Sequence, residues 1–205
     1  IRAAQLGLTV AVVERQKALG GTCLLWGCIP TKALLEHAHA LKIAQGAREW
    51  GLTLPQGEVG IDMVQVQSRK DRIVNSLSKG VEFLFKKNKI EWIRGTGRLA
   101  GRGVVEVSGD QPTTLQARDI IIATGSAVRG LPGITVDRKR IITSDEAISL
   151  REVPKSLAII GSGAVGVEFA SIYRRFGADV TVIELLPRIV PVEDQAVSAE
   201  LEKSF

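Results

Sequence analysis

Two stretches of the chain share one pattern of apolar and polar positions. The first runs from Leu6 to Glu14 and the second from Phe176 to Glu184, and matching positions lie 170 residues apart. Each has a glycine that can end a helix, followed by an apolar run that closes on a glutamate. This pattern predicts a helix end and then a buried strand of a parallel sheet. The repeat therefore predicts two βαβ units in one α/β chain.

The second copy is preceded by a glycine-rich turn. Residues 157–160 are predicted to form a short strand and residues 165–176 a helix, and between them Gly161, Gly163 and Gly166 have the spacing G-x-G-x-x-G. Such glycines serve a tight turn, a close approach to a pyrophosphate and close packing of helix on strand. The free N–H groups of a helix start also favour phosphate. We therefore expect a dinucleotide site here, formed by Gly161, Gly163, Ala164, Val165 and Gly166.

Glu184 completes that pattern. It follows Gly161 by 23 residues, close to the ~20 at which an acid accepts hydrogen bonds from the adenosine ribose. A carboxylate there would repel a 2′-phosphate, so NAD is favoured over NADP. Arg188, four residues further on, keeps NADP open.

The first copy lacks a matching glycine loop. The 170-residue offset would place that loop before residue 1, so we expect the chain to be a fragment that starts inside a first nucleotide-binding unit. The fold class expected is α/β, with two Rossmann-like dinucleotide-binding domains that are both incomplete and a small β-meander. Two such units suggest two dinucleotides, or a flavin and a nicotinamide.

The two cysteines, Cys23 and Cys28, are separated by four residues. Pro30 suits the first turn of a helix, which places Cys28 at or just before a helix start, where the helix dipole favours a thiolate. Cys23 is expected on a loop. Three interpretations compete: packed free thiols, a zinc site with His37 and His39, and a redox dithiol. Two histidines separated by one residue point to different sides of a helix, which speaks against zinc and leaves no metal site expected.

With these motifs the sequence resembles the pyridine nucleotide–disulfide oxidoreductases, and within them the enzymes that oxidise dihydrolipoamide. Three segments carry the resemblance: GGTCLLWGCIPTK from Gly20, IIIATGS from Ile120 and IIGSGAVGVEFA from Ile159. The resemblance covers the whole chain in order. It implies an FAD-binding domain over residues 1–145, without its first strand and glycine loop, and the start of an NAD-binding domain over residues 146–205.

The resemblance also implies roles for individual residues. Cys23 would exchange with the dithiol substrate, Cys28 would contact the flavin, and Lys32 near the flavin would pair with Glu168. The residues expected to bind FAD are Glu14, Gly20, Gly21, Thr22, Cys23, Lys32, Gly97, Thr124 and Gly125. NAD would be held by the loop at Gly161 and by Glu184.

The implied activity is oxidation of dihydrolipoamide by NAD through FAD and a Cys23–Cys28 disulfide. The implied partner is a lipoyl domain of a 2-oxoacid dehydrogenase or glycine cleavage complex, and the implied assembly is a cytoplasmic homodimer. The general base would be a C-terminal histidine of the partner subunit that neither His37 nor His39 matches, so the fragment alone is expected to be inactive. Another disulfide or mercuric reductase, or a non-catalytic FAD- and NAD-binding redox protein, remains as an alternative.

Further elements follow from periodicity. Residues 33–48 and 62–87 are predicted helices, the second amphipathic, with a core-facing side formed by Met63, Val66, Ile73, Leu77, Val81 and Leu84. Residues 89–117 are expected to form the β-meander. Residues 119–123 are predicted to be a buried strand, and residues 127–154 a linker.

Composition excludes several other classes of protein. The 205 residues carry a net charge of +5 with 4% aromatic residues, and the charges are scattered. Few side chains could therefore stack on nucleic-acid bases, and no nucleic-acid partner is expected. No apolar run approaches the ~18 residues of a membrane span, so no membrane partner is expected either.

Overall fold

The computed structural model describes residues 1–55, 57–109 and 111–205. The elements in chain order are α1 (Arg2–Gln5), β1 (Ala11–Glu14), α2 (Gly21–Leu25), α3 (Cys28–Gln45), a 3₁₀ turn (Ala47–Trp50), α4 (Met63–Lys87), β2 (Glu91–Arg94), β3 (Thr96–Gly101), β4 (Val104–Ser108), β5 (Thr113–Gln116), α5 (Ser144–Ala147), β6 (Ser156–Ile160), α6 (Ala164–Phe176), β7 (Asp179–Ile183) and α7 (Gln195–Glu202). They divide into two compact units, residues 1–25 with 74–127 and residues 26–73 with 128–205.

The first unit contains two small sheets. β1 and β2 pair in parallel, with Glu14 opposite Arg94, and β3, β4 and β5 form an antiparallel meander. Gly97 lies in β3, where a Cβ would stand 3.5 Å from both Val13 and Val105. These are ordinary van der Waals distances, so Gly97 lies between Val13 of β1 and Val105 of β4. The predicted meander is confirmed, except that β2 leaves it to pair with β1.

The second unit is built around a βαβ unit. β6 and β7 pair in parallel and α6 connects them. Gly177 ends α6 in a left-handed conformation at φ +109°, as its sequence position predicts. The core of this unit joins α3, the start of α4, α5 and α6 through a cluster of buried residues: Leu34, Ala38, Leu41, Met63, Val66, Ala147, Ile148, Phe169, Ile172, Tyr173, Phe176 and Ala178.

The long helix α4 is confirmed in extent, but its predicted core-facing side is only partly buried. Met63 and Val66 belong to the core, whereas Leu77 and Leu84 are 44% and 37% exposed. Helical periodicity identifies which residues share a face, and whether that face is buried depends on the elements beside it. The prediction was therefore wrong for Leu77 and Leu84.

The predicted buried strand over residues 119–123 was wrong. Residues 120–123 form no regular element, and Ile121 is 87% exposed. A strand needs a partner for its backbone groups, and none of the described strands pairs with this segment. The apolar run alone could not supply that partner.

The strands of the repeat are half-buried rather than buried. β6 and β7 alternate between exposed and partly buried positions, and Ile160 and Ile183 are both more than half exposed. A parallel strand is fully buried only when both faces of its sheet are covered. In this two-stranded sheet the partly buried residues, among them Leu157, Ile159 and Val180, pack against the core cluster that includes α6. Among the described helices, none combines the length and apolar character needed to cross a membrane.

Candidate active site

Both cysteines are disulfide-bonded, and the chain has no others. Cys28 is the first residue of α3, as predicted, while Cys23 lies in the short helix α2 rather than on a loop. Pro30 fits the first turn of α3 because the N–H that it lacks has no helical partner there. Both cysteines are exposed, so a thiol in solution can reach them. The arrangement is suited to thiol–disulfide exchange.

Lys32 and Glu168 are brought together within the second unit. Lys32 is in the second turn of α3 and Glu168 is on α6, and the Lys32 ammonium donates to Glu168 Oε1. The Lys32 side chain is 59% exposed and that of Glu168 27%. An ion pair this open contributes little stability. Lys32 lies one helical turn after Cys28 in α3, so the two residues are on the same side of that helix.

The three glycines of the loop between β6 and α6 differ in what a side chain would meet. Gly161 has a φ of +100°, which a residue with a side chain rarely adopts. A Cβ at Gly163 would meet nothing within 4 Å, whereas one at Gly166 would overlap the Gly161 carbonyl oxygen. A dinucleotide-binding loop requires a tight turn, open space for the pyrophosphate and close packing of helix on strand. Gly161, Gly163 and Gly166 meet these three requirements in that order.

Glu184 follows β7, and its carboxylate is held by this loop. The Ser162 N–H and hydroxyl each donate to Oε2 at 2.8 Å, and the Leu186 N–H donates to Oε1 at 3.0 Å. The hydrogen bond from Leu186, followed by those from Ser162, lowers the pKa of Glu184 from 4.5 to about 2. The carboxylate is therefore charged at neutral pH and stands beside the start of α6.

Arg188 is engaged elsewhere. Its guanidinium donates to the Pro191 carbonyl at 3.1 Å and to the Glu193 carbonyl at 3.0 Å. Those two contacts hold it in the loop that follows β7.

Glu14 occupies the same place in the first copy of the repeat. Its Oε1 accepts the Gln16 N–H at 2.8 Å, as Glu184 accepts that of Leu186. The guanidinium of Arg94, its neighbour in register, lies 4.7 Å from the centre of the Trp92 ring. Sequence reasoning missed this cation–π pair. The signal that could have found it is an aromatic residue and a basic residue two positions apart on a predicted strand, which places both side chains on the same face.

Other residues predicted to bind FAD lie in the same unit. Gly20 and Gly21 have positive φ angles and lead into α2. Gly125 also has a positive φ, and a Cβ there would stand 3.6 Å from the Thr22 hydroxyl. Thr22 and Gly125 are thus brought together. Thr124 lies beside Gly125 in an exposed, irregular segment.

The zinc interpretation finds no support. Both cysteines are in a disulfide, and His37 Nδ1 donates to the Ala33 carbonyl at 2.6 Å. Within the part of the chain that the structure describes, no group of three or more potential ligands could hold a metal ion.

A glycine loop between a strand and a helix, a second acidic strand end and an exposed disulfide at a helix start are together typical of nucleotide-binding disulfide oxidoreductases. The family model for the pyridine nucleotide-disulphide oxidoreductases matches residues 1–205. The chain belongs to this family, which confirms the resemblance and the fold class expected from the sequence.

Individual relatives narrow the comparison. The chain is 49% identical over 207 residues to "Dihydrolipoyl dehydrogenase 3" of Pseudomonas putida, and 47% identical over 207 residues to "Dihydrolipoyl dehydrogenase 3" of Pseudomonas aeruginosa. In both cases all of this chain is matched by 44% of the relative. The chain therefore spans less than half the length of these relatives.

A solved structure supports the fold. The HOCl-induced flavoprotein disulfide reductase RclA of Escherichia coli superposes with a TM-score of 0.81 at 27% identity, over 99% of this chain and 42% of the other. The agreement in fold thus extends over nearly the whole chain.

Proposed function

We propose that this chain is part of an FAD-dependent dihydrolipoyl dehydrogenase, which oxidises dihydrolipoamide with NAD. The observation that carries the proposal is the exposed disulfide of Cys23 and Cys28 at the start of α3, one turn before the Lys32–Glu168 pair. The relatives named dihydrolipoyl dehydrogenase, at up to 49% identity, support the choice of substrate. We further propose that residues 1–145 belong to an FAD-binding domain and residues 146–205 to an NAD-binding domain.

The cysteines perform the exchange with the substrate. One thiolate of dihydrolipoamide attacks Cys23 Sγ, which breaks the disulfide and releases Cys28 as a thiolate. The second substrate thiolate then attacks the substrate sulfur of the mixed disulfide and releases Cys23. Lipoamide leaves oxidised by two electrons, and the cysteine pair retains those electrons. The dipole of the 18-residue α3 stabilises the negative charge on Cys28.

The first unit carries residues that fit FAD. Glu14 Oε1 accepts one backbone N–H, which leaves its other oxygen for a ribose hydroxyl. Gly97 lies next to Val13 of β1, and Gly125, whose φ of +80° favours glycine, lies next to the Thr22 hydroxyl. These residues, with Gly20, Gly21, Thr124 and Cys23 of the same unit, would hold the cofactor. When bound, FAD accepts the electron pair from the dithiol and passes it as hydride to NAD.

The second unit carries residues that fit NAD. The open space at Gly163 leaves room for the pyrophosphate, and the backbone N–H groups of Ala164 and Val165 lie in the first turn of α6. Gly161 and Gly166 shape the turn around that space. Glu184 would accept a hydrogen bond from the adenosine ribose.

The same proposal covers the carrier of the dithiol substrate, the location of the enzyme and its oligomeric state. The dithiol would be carried on the lipoyl domain of a 2-oxoacid dehydrogenase or glycine cleavage complex, and the enzyme would act as a cytoplasmic homodimer. Neither His37 nor His39 matches the histidine of the partner subunit that the family resemblance implies as the general base for the substrate thiol. We therefore expect the 205-residue chain by itself not to turn over lipoamide.

The test uses the complete protein purified with its flavin. NADH-driven reduction of lipoamide is measured for the wild type and for Cys28→Ser and Cys23→Ser. Both variants should lose lipoamide reduction, while NADH should still bleach the flavin absorbance, because hydride transfer does not need the cysteines. Glutathione disulfide in place of lipoamide tests the alternative that the protein is another disulfide reductase of the same family. Lipoamide turnover that survives in Cys28→Ser would reject the mechanism.

A further inference from the structure

Ser162, the second residue of the glycine loop, connects two segments of the second unit. Its side chain is fully buried, and both its N–H and its hydroxyl donate to Glu184 Oε2. Its carbonyl accepts the Val190 N–H at 2.9 Å. One residue thus joins the β6–α6 loop both to the acid at the end of β7 and to the loop beyond it.

The loop beyond β7 is held in an unusual conformation. Val190 is buried and has a φ of +39°, which is rare for a β-branched residue and persists only where neighbouring contacts enforce it. The bond to the Ser162 carbonyl is one such contact. Arg188 in the same loop is tied to two backbone carbonyls. The loop is therefore bonded to the serine through Val190, and the Arg188 guanidinium is bonded to carbonyls of its own loop.

We propose that Ser162 is a specificity-determining positioning residue: its hydroxyl fixes the Glu184 carboxylate beside the glycine loop so that NAD is accepted and NADP is rejected. This inference rests on the proposed function, which assigns the site to a nicotinamide dinucleotide. Ser162 acts through Glu184 and needs no contact with the nucleotide.

The number of acceptor positions on the carboxylate explains the selectivity. An ionised carboxylate has about four acceptor positions, and donors from Ser162 and Leu186 occupy three. A ribose hydroxyl is a donor and can bond to the acceptor position that remains on the carboxylate. A 2′-phosphate offers mainly acceptor oxygens and negative charge at neutral pH. The Glu184 carboxylate, which its hydrogen bonds hold in place, would repel that negative charge.

The experiment compares NAD⁺ and NADP⁺ binding by isothermal titration calorimetry to the complete flavin-loaded protein. Oxidised nucleotides avoid electron transfer during the titration. The wild type should prefer NAD⁺, and Ser162→Ala should reduce that preference about tenfold, the effect of losing one hydrogen bond to a charged group. Ser162→Thr, which keeps a hydroxyl, should restore part of the preference. Ser198→Ala is the matched control, because this buried serine donates to the Val190 carbonyl rather than to Glu184.

A second readout is independent of nucleotide. The ¹³C carboxyl signal of Glu184, assigned by its loss in Glu184→Gln, should titrate well below pH 4.5 in the wild type and move towards 4.5 in Ser162→Ala but not in Ser198→Ala. A wild type that prefers NAD⁺ while Ser162→Ala keeps both the same preference and the same titration overturns this proposal and leaves the proposed function standing. A wild type that binds neither nucleotide overturns the NAD site as well.

Discussion

The glycine loop allows two neighbouring substitutions to be predicted with opposite outcomes. A Cβ at Gly166 would overlap the Gly161 carbonyl oxygen and lie 3.0 Å from its carbon, and both are backbone atoms that cannot rotate away. Gly166→Ala must therefore shift the start of α6. Overpacking in a well-packed site costs ~1–3 kcal/mol, and a clash with backbone belongs at the upper end. We expect about 3 kcal/mol, or ~6–12 °C in melting temperature for a chain of this size.

Gly163→Ala should behave in the opposite way. A Cβ there would meet nothing within 4 Å, and φ is −66°, which alanine adopts freely. Gly163 is the N-cap of α6, where alanine is worse than glycine by ~0.5 kcal/mol, while restricting the unfolded chain gains ~0.4–1 kcal/mol. These two effects nearly cancel. The new methyl group would instead occupy the space assigned to the pyrophosphate, so NAD⁺ binding should weaken.

Urea unfolding and NAD⁺ titration of both variants separate the two effects. The unfolding midpoint of Gly166→Ala should lie at a lower urea concentration than that of the wild type. Gly163→Ala should have the same midpoint as the wild type but bind NAD⁺ more weakly. A Gly166→Ala protein as stable as the wild type would refute the close-packing argument. A Gly163→Ala protein with undiminished NAD⁺ affinity would refute the assignment of the open space to a ligand.

Three further outcomes follow from contacts in the second unit. Tyr173→Phe removes a buried hydroxyl that donates to the Ala147 carbonyl at 2.5 Å, so urea unfolding should show a loss of about 1 kcal/mol, and an unchanged midpoint would contradict it. Because the pKa of Glu184 falls from 4.5 to about 2 on folding, its stabilising effect is complete above pH 4.5 and is lost as the pH falls towards 2. The stability difference between wild type and Glu184→Gln should therefore shrink over that range, and a constant difference would refute the linkage. Glu168→Gln weakens an exposed pair with Lys32 and should change stability by less than ~1 kcal/mol while lowering lipoamide turnover; unaffected turnover would remove Glu168 from the active site.

Local sequence was a good guide wherever structure depends on residues close in the chain. The glycine loop, α6 and its glycine end follow from backbone angles and spacing within about 20 residues, and the start of α3 at Cys28 follows from Pro30. The Lys32–Glu168 contact was expected only from the family resemblance, since 136 positions separate the two residues. Packing of α3 against α6 brings them together.

Burial was the weaker prediction, because it depends on neighbours that an apolar run does not specify. The run over residues 119–123 looks like a buried strand, yet residues 120–123 are irregular and exposed. The same limit applies to Leu77 and Leu84, which share a helix face with buried Met63. Ser162 was missed for another reason: the glycine pattern leaves its position unspecified, and only the folded loop shows its hydroxyl against Glu184.

A comparison of the two copies of the repeat shows which hydrogen bonds to the glutamate come from the strand end and which come from the glycine loop. Glu14 and Glu184 each accept the N–H of the residue two positions on, at 2.8 and 3.0 Å, so that contact belongs to the strand end. The two Ser162 donors come from the glycine loop, and they fix the second carboxylate before any nucleotide arrives. Ordering a mobile side chain on binding costs ~0.5–1.5 kcal/mol, and Glu184 is already ordered. We therefore expect preorganisation by the loop, in addition to the acid itself, to make this strand end selective for NAD⁺.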